Sequence, residues 1–226
     1  MTVVLACFIT VLAVLVLRTP LQHAPVVFYI LAALLSVASA LQLPAADMLA
    51  FSGPLEYVVK HGSVAFFLFA IIMYVGVLPE TSRLRHYLMP VRGKLSIVAS
   101  LIAAGHFVGY LAAFLAGFLS RTAPMVPRAL AAFIFALVLF ALFVPLAITS
   151  VTAIRDKMPA QRWKQLQQWA YVFFALLYVH MAIMLAPTAL RGGDAAVRFA
   201  CYTAVFVPYI VLFFARGKWR DVKLAA

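Results

Sequence analysis

Two histidines stand where a side chain of their kind is costly. His106 lies in the run Ala103-Ala104-Gly105-His106-Phe107-Val108-Gly109-Tyr110, and His180 in Tyr178-Val179-His180-Met181-Ala182. Both runs are apolar enough for lipid, and neither contains Asp, Glu, Lys or Arg. An ionisable residue inside a membrane span marks a functional site by default. His106 comes 14 residues after Arg92 and His180 comes 16 after Lys164. At 1.5 Å per helical residue the imidazoles stand roughly 21 and 24 Å above those cations, at similar height. Two neutral imidazoles facing each other can take both axial positions of a haem iron, and a filled sixth position favours electron transfer over oxygen binding. A flat macrocycle also needs room. Beside His106 at helical spacing are Ala99, Ala103, Gly109 and Ala113, with Gly105 adjacent, which makes a face nearly free of side chains. The competing reading is that these small residues serve close helix packing and that each histidine hydrogen-bonds across a helix pair. A zinc site is disfavoured, because no third or fourth ligand lies at that height.

The elements holding these residues are membrane spans. Of the 226 residues 67% are hydrophobic and 11% charged, far from the roughly half apolar and quarter charged mix of a soluble domain. The net charge of +12 does not indicate nucleic acid, since the basic residues fall in short gaps between apolar runs rather than in a patch. The runs are residues 2–17, 25–43, 61–78, 95–119, 129–151, 169–186 and 195–215. Each must be helical, because lipid offers no partner to a free backbone amide. The expected fold is therefore an all-α integral membrane bundle of about seven transmembrane helices, a single domain over residues 1–226. Prolines 20, 25, 44, 79, 90, 124, 127 and 187 are expected at helix boundaries. Run 2–17 has no basic segment or small-residue cleavage site and reads as a retained span rather than a signal peptide. Cys7 and Cys201 fall inside apolar runs and read as packed small hydrophobes rather than a disulfide.

Alternate gaps hold very different numbers of cations. Arg18, Arg83, Arg85, Arg92, Lys94, Arg155, Lys157, Arg162, Lys164, Arg216, Lys218, Arg220 and Lys223 fall on one side; Lys60, Arg121, Arg128, Arg191 and Arg198 fall on the other. The positive-inside rule makes the first side cytoplasmic, with the N-terminus outside and the C-terminus inside, as in a multi-pass protein of a bacterial inner membrane. Trp163, Trp169 and Trp219 fall near that inner interface, as an aromatic belt would have them.

The stretch from Arg92-Gly93-Lys94-Leu95 through Gly105-His106-Phe107-Val108-Gly109-Tyr110 resembles the third core helix of the ferric-reductase-like transmembrane family. Pro145-Leu146-Ala147-Ile148-Thr149-Ser150 is similar too, as are Arg162-Trp163-Lys164 with Gln165 to Tyr171 after it, read as a loop leading into a helix, and His180. Within that family the likeness is strongest to the haem-binding membrane subunits of periplasmic methionine sulfoxide reductase systems. It covers about residues 55–215, a six-helix core, with the first span as an extra.

The resemblance implies a b-type haem with His106 and His180 as axial iron ligands. Electrons would pass from a cytoplasmic flavin reductase or a quinol to a periplasmic oxidoreductase. Family members usually carry a further histidine thirteen residues before the second ligand, where this chain has Gln167, and the position fourteen before His106 is Arg92. Neither is a good iron ligand, so one haem b is expected and a second, inner haem is in doubt. A lone outer haem would lie roughly 20 Å from the cytoplasmic surface by helix rise. That gap suggests an FMN or quinone head near Arg92, Lys94, Arg162, Lys164 and Gln167, the alternative being that these cations set topology and meet lipid headgroups. No glycine-rich dinucleotide fingerprint follows a strand, so donor and acceptor chemistry are expected from partners. His61 beside Lys60, and Arg121, Arg128, Arg191 and Arg198, are outer-face candidates for propionate or acceptor contacts, with interfacial placement as the alternative. His23 and His86 read as solvated loop residues. A transporter or assembly subunit with substrate- or proton-binding histidines is the rival class, and a haem sensor the third.

Overall fold

The computed structural model of the chain describes residues 2–41, 62–120 and 127–224, with all side chains except those of Arg128 and residues 217–224. The described residues are almost wholly helical, and no strand occurs among them. In chain order the helices are α1 (Thr2–Val16), α2 (Arg18–His23), α3 (Pro25–Ala40), α4 (Ser63–Val77), α5 (Arg83–Leu88), α6 (Arg92–Leu119), α7 (Pro127–Ile148), α8 (Thr152–Arg155), α9 (Ala160–Ala189) and α10 (Gly193–Leu224). A single 3-10 turn, Met89–Val91, joins α5 to α6. Four helical stretches are long and apolar enough to cross a membrane: Arg83–Leu119, Ala129–Ile148, Ala160–Ala189 and Gly193–Arg216. Helices α1, α3 and α4 are equally apolar but only 15, 16 and 15 residues long. The all-α membrane bundle expected from the sequence is what folds.

Local chemistry sets several helix ends. Pro25 and Pro127 open α3 and α7, where a missing N–H costs nothing. Ser82 caps α5 by accepting from the Arg85 amide at 3.4 Å. At the end of α7, the Thr149 and Ser150 hydroxyls donate back to the carbonyls of Pro145 and Leu146 at 2.6 and 2.8 Å. Other boundaries depart from expectation. Pro187 lies within the last turns of α9 rather than ending it, and Pro20 lies inside α2. Helix α9 starts nine residues earlier than its apolar run, so Arg162, Trp163 and Lys164 stand on helix and not in a loop. Hydropathy finds the lipid-soluble part of a helix and misses a polar extension that the backbone continues through. For the same reason His23 and His86 occupy the short helices α2 and α5 rather than loops; both are exposed.

Helix α4 is the hub. Most of it from Ser63 to Val77 is buried and the rest half-buried, and it packs against α1, α6, α9 and α10. Around it Phe66 meets Tyr202 edge-on at 4.7 Å, Phe174 meets Tyr209 at 4.9 Å, and Tyr178 stacks on Phe206 at 4.2 Å. Polar contacts tie α10 to its neighbours: Tyr74 Oη donates to the Val205 carbonyl at 2.7 Å, Ser63 Oγ bonds Tyr202 Oη at 2.8 Å, and Tyr178 Oη bonds Thr203 Oγ1 at 2.9 Å. Interhelical hydrogen bonds in lipid average only about 0.6 kcal/mol, so aromatic packing carries more of the cohesion and these bonds fix register. Outward-facing apolar residues such as Phe8 and Leu12 on α1 and Val26, Ile30 and Leu34 on α3 are exposed, as a lipid-facing surface requires.

Candidate functional site

His106 lies midway along α6, half-buried. Its ring rests on the backbone of Gly62, the residue that caps α4. A Cβ added to Gly62 would stand 3.2 Å from His106 Nδ1, and Gly62 has φ of 68°, in the left-handed region. Glycine is thus favoured there twice over, by conformation and by the close imidazole. Tyr110, one turn on, has its ring 4.7 Å from that of His106.

His180 lies on α9, also half-buried. Its ring stands beside the backbone of Ala132 on α7, while its Nδ1 is buried with no hydrogen-bond partner. A neutral imidazole that carries its proton on the other ring nitrogen presents, at such an unengaged nitrogen, the lone pair that iron ligation uses. The residues present therefore suit a haem iron. Helices α6 and α9 both pack on α4 and α7, so the two histidines stand on helices flanking the same pair of neighbours.

The small face beside His106 is divided. A Cβ at Gly105 would fall on the Ser36 backbone, and one at Gly109 would lie 3.2 Å from the Ser39 carbonyl oxygen. These two glycines let α3 press against α6, the close-packing arrangement that small residues four apart allow in membranes. Ala99 is buried, Ala103 half-buried and Ala113 exposed.

At the cation-rich end the structure brings Arg92 and Gln167 together. Both line a cavity of about 40 Å³ between α4, α6, α7 and α9, with Ser96, Ser150, Phe143 and Phe173 among its walls. That is room for a few water molecules and far too little for a porphyrin. Gln167 Nε2 donates to Thr149 Oγ1 at 3.2 Å, Trp163 Nε1 donates to the Thr149 carbonyl at 3.1 Å, and Ser96 Oγ meets Ser150 Oγ at 3.1 Å. The Arg92 guanidinium approaches Gly76, where an added Cβ would be 3.6 Å from Nη2 and 3.9 Å from Tyr171 Oη. Nearby, Tyr209 Oη is buried without a hydrogen-bond partner.

The other cations of this end are elsewhere. Lys164 and Arg162 are exposed on α9, and Lys94 Nζ donates to the Gln22 carbonyl. On the opposite end Arg198 pairs with Asp194 at 3.1 Å, and Arg191 is exposed. Lys60, His61, Arg121 and the Arg128 side chain lie outside the described residues. Trp163 is engaged with Thr149 and Trp169 is exposed; the Trp219 side chain is not described. Among the described residues no three of His, Cys, Asp and Glu cluster.

Sequence reasoning missed Gly62, Gly76, Tyr171 and Tyr209. Each contributes by standing opposite a residue far away in the chain, and only Gly62 carried a local signal, as a glycine at the edge of an apolar run.

Three comparisons bear on this arrangement. Residues 61–178, more than half the chain, match the family model described as ferric reductase like transmembrane component. The match spans α4 through most of α9, includes His106 and ends two residues before His180. An uncharacterized protein of Treponema pallidum (strain Nichols) is 34% identical over 146 residues, 64% of this chain but 40% of that protein, so the chain spans well under half of its relative's length. No solved structure matches. A helical membrane bundle whose central helices match that model over most of their length identifies the chain as a member of the ferric reductase like transmembrane component family.

Proposed function

We propose that this protein is a b-type cytochrome subunit holding one haem between α6 and α9, with His106 and His180 as axial ligands. The observation that carries this reading is the unengaged, buried Nδ1 of His180 in a chain whose matched family moves electrons across membranes. When bound, the haem supplies a one-electron ferric–ferrous couple. The protein's own part is to present two neutral imidazoles and keep water out. Gly62 seats His106, Ala132 orients His180, and Gly105 and Gly109 hold α3 against α6. Ala103 and Ala113 are the small residues left on the His106 side.

An inner haem does not fit. The positions that would ligate it carry Arg92 and Gln167, and their cavity holds only a few waters. Electrons entering from the cytoplasm instead meet a polar pocket. In this reading a ring bearing carbonyl acceptors, quinone or flavin, is received there by Arg92 and Gln167 through charge-assisted and amide hydrogen bonds, opening the cavity as it enters. Lys164 and Arg162, exposed on the same helix, serve the docking of a cytoplasmic donor. The cation-rich end is cytoplasmic by the positive-inside rule, the membrane is a bacterial inner membrane, and a periplasmic oxidoreductase, with methionine sulfoxide reductase as the leading candidate, is the acceptor.

The test is a reduced-minus-oxidised visible spectrum with pyridine haemochrome quantitation for the wild type, His106→Ala and His180→Ala. The expected result is a low-spin b-type spectrum, about one haem per chain, lost in either variant. A folded wild type that stays colourless when haem is supplied would sink the proposal and favour a transporter.

A further inference from the structure

The chain contains two cysteines, separated by nearly its whole length, and the fold brings them together. Cys7 is on α1 and Cys201 on α10, and these helices pack against each other. Both thiols are half-buried and reduced, and each thiol's electrostatic environment includes the other. Each also packs against the hydrophobic core. Lipid-facing helices do not need to place their only sulfurs opposite one another: apolar packing at either position is served as well by Ala or Val.

Their level in the bundle is informative. The residue after Cys201 is Tyr202, whose hydroxyl bonds Ser63 Oγ at 2.8 Å. Ser63 opens α4 directly after Gly62, and Gly62 is the seat of the His106 ring. The sulfur pair therefore stands near the bundle end at which α4 and α10 begin, one hydrogen bond and two peptide links from the backbone that positions His106. Both cysteines belong to helices outside residues 61–178 that match the family model.

We propose that Cys7 and Cys201 are a redox pair that closes to an interhelical disulfide by exchange with an external disulfide, bracing α1 against α10 beside the seat of His106. The chemistry balances without a metal. One cysteine thiolate attacks the external disulfide, forming a mixed disulfide and releasing the first thiol. The second cysteine then attacks the mixed disulfide and releases the other thiol. Two cysteine thiols are oxidised to one disulfide, and the external disulfide is reduced to two thiols.

The full chain in detergent and in native membranes is treated with 2,2′-dithiodipyridine, a membrane-permeant disulfide, and then unfolded and alkylated. Closure of the pair releases thiopyridone, leaves no pyridyl adduct and no alkylatable thiol, and yields a Cys7–Cys201 cross-linked peptide that dithiothreitol removes. The Cys7→Ser variant retains a pyridyl adduct on Cys201 under the same treatment. Stable adducts on both cysteines of the wild type, thiols that stay alkylatable after unfolding, or cross-links only between chains would each overturn the proposal. None of these readouts requires haem.

Discussion

Gly62 separates two contributions that glycine can make. Alanine at this position would occupy the left-handed region and push its Cβ to 3.2 Å from His106 Nδ1. At Gly192, φ is 83° but no atom lies within 4 Å of an added Cβ. Backbone strain of about 1–2 kcal/mol applies to both; displacement of the imidazole applies only to the first. Gly62→Ala and Gly192→Ala are both expected to lose thermal stability, Gly62→Ala by the larger amount, while only Gly62→Ala lowers haem content and alters the low-spin spectrum. Equal spectra in the two variants would mean that Gly62 does not position a ligand.

Between helices, the α3–α6 contact depends on an absent side chain. A methyl at Gly105 would overlap the Ser36 backbone, which cannot rotate away as a side-chain tip could. Gly105→Ala should cost about 1–3 kcal/mol, as overpacking does, whereas Gly93→Ala in the same helix meets nothing and should gain a few tenths from helix propensity. Unfolding midpoints of the two variants in one detergent test the contrast, and equal midpoints would remove α3 packing as the reason for the glycine. The α7–α9 junction gives a second contrast. Gln167→Leu removes the donor to Thr149 Oγ1, worth roughly 0.5–1.5 kcal/mol. Gln167 is thirteen residues before His180, roughly 20 Å along the helix, so haem content is expected to stay at the wild-type level while donor-driven haem reduction slows. Loss of haem in Gln167→Leu would show that the cavity and the histidine site are one.

Across the whole molecule, the helix contacts sort the cations as the alternating gaps did. Arg18 donates to the Tyr87 carbonyl at 2.8 Å, Lys94 to that of Gln22, and Arg216 lies 4.4 Å over the Tyr171 ring; these contacts lie at the Arg92 end. Arg191 and Arg198 stand at the opposite end, where α9 finishes and α10 starts. With the Arg92 end cytoplasmic, a fluorescent protein fused after Ala226 should fold and fluoresce, and alkaline phosphatase at the same position should be inactive. The reverse pair of results would invert the orientation, and with it the direction assigned to electron flow.

The membrane environment and the helical class were legible in the sequence, because both depend on composition and lipid leaves a free backbone amide no partner outside a helix. The Thr149–Ser150 helix end was legible as well, since its hydroxyls bond back within one turn. Tertiary structure decided what depends on residues remote in the chain. It assigned Gly105 and Gly109 to α3, joined Arg92 with Gln167 while leaving Lys164 outside, and set Cys7 beside Cys201. Hydropathy records how much each segment prefers lipid; it carries no information on which face of one helix meets which face of another, and packing alone settles that.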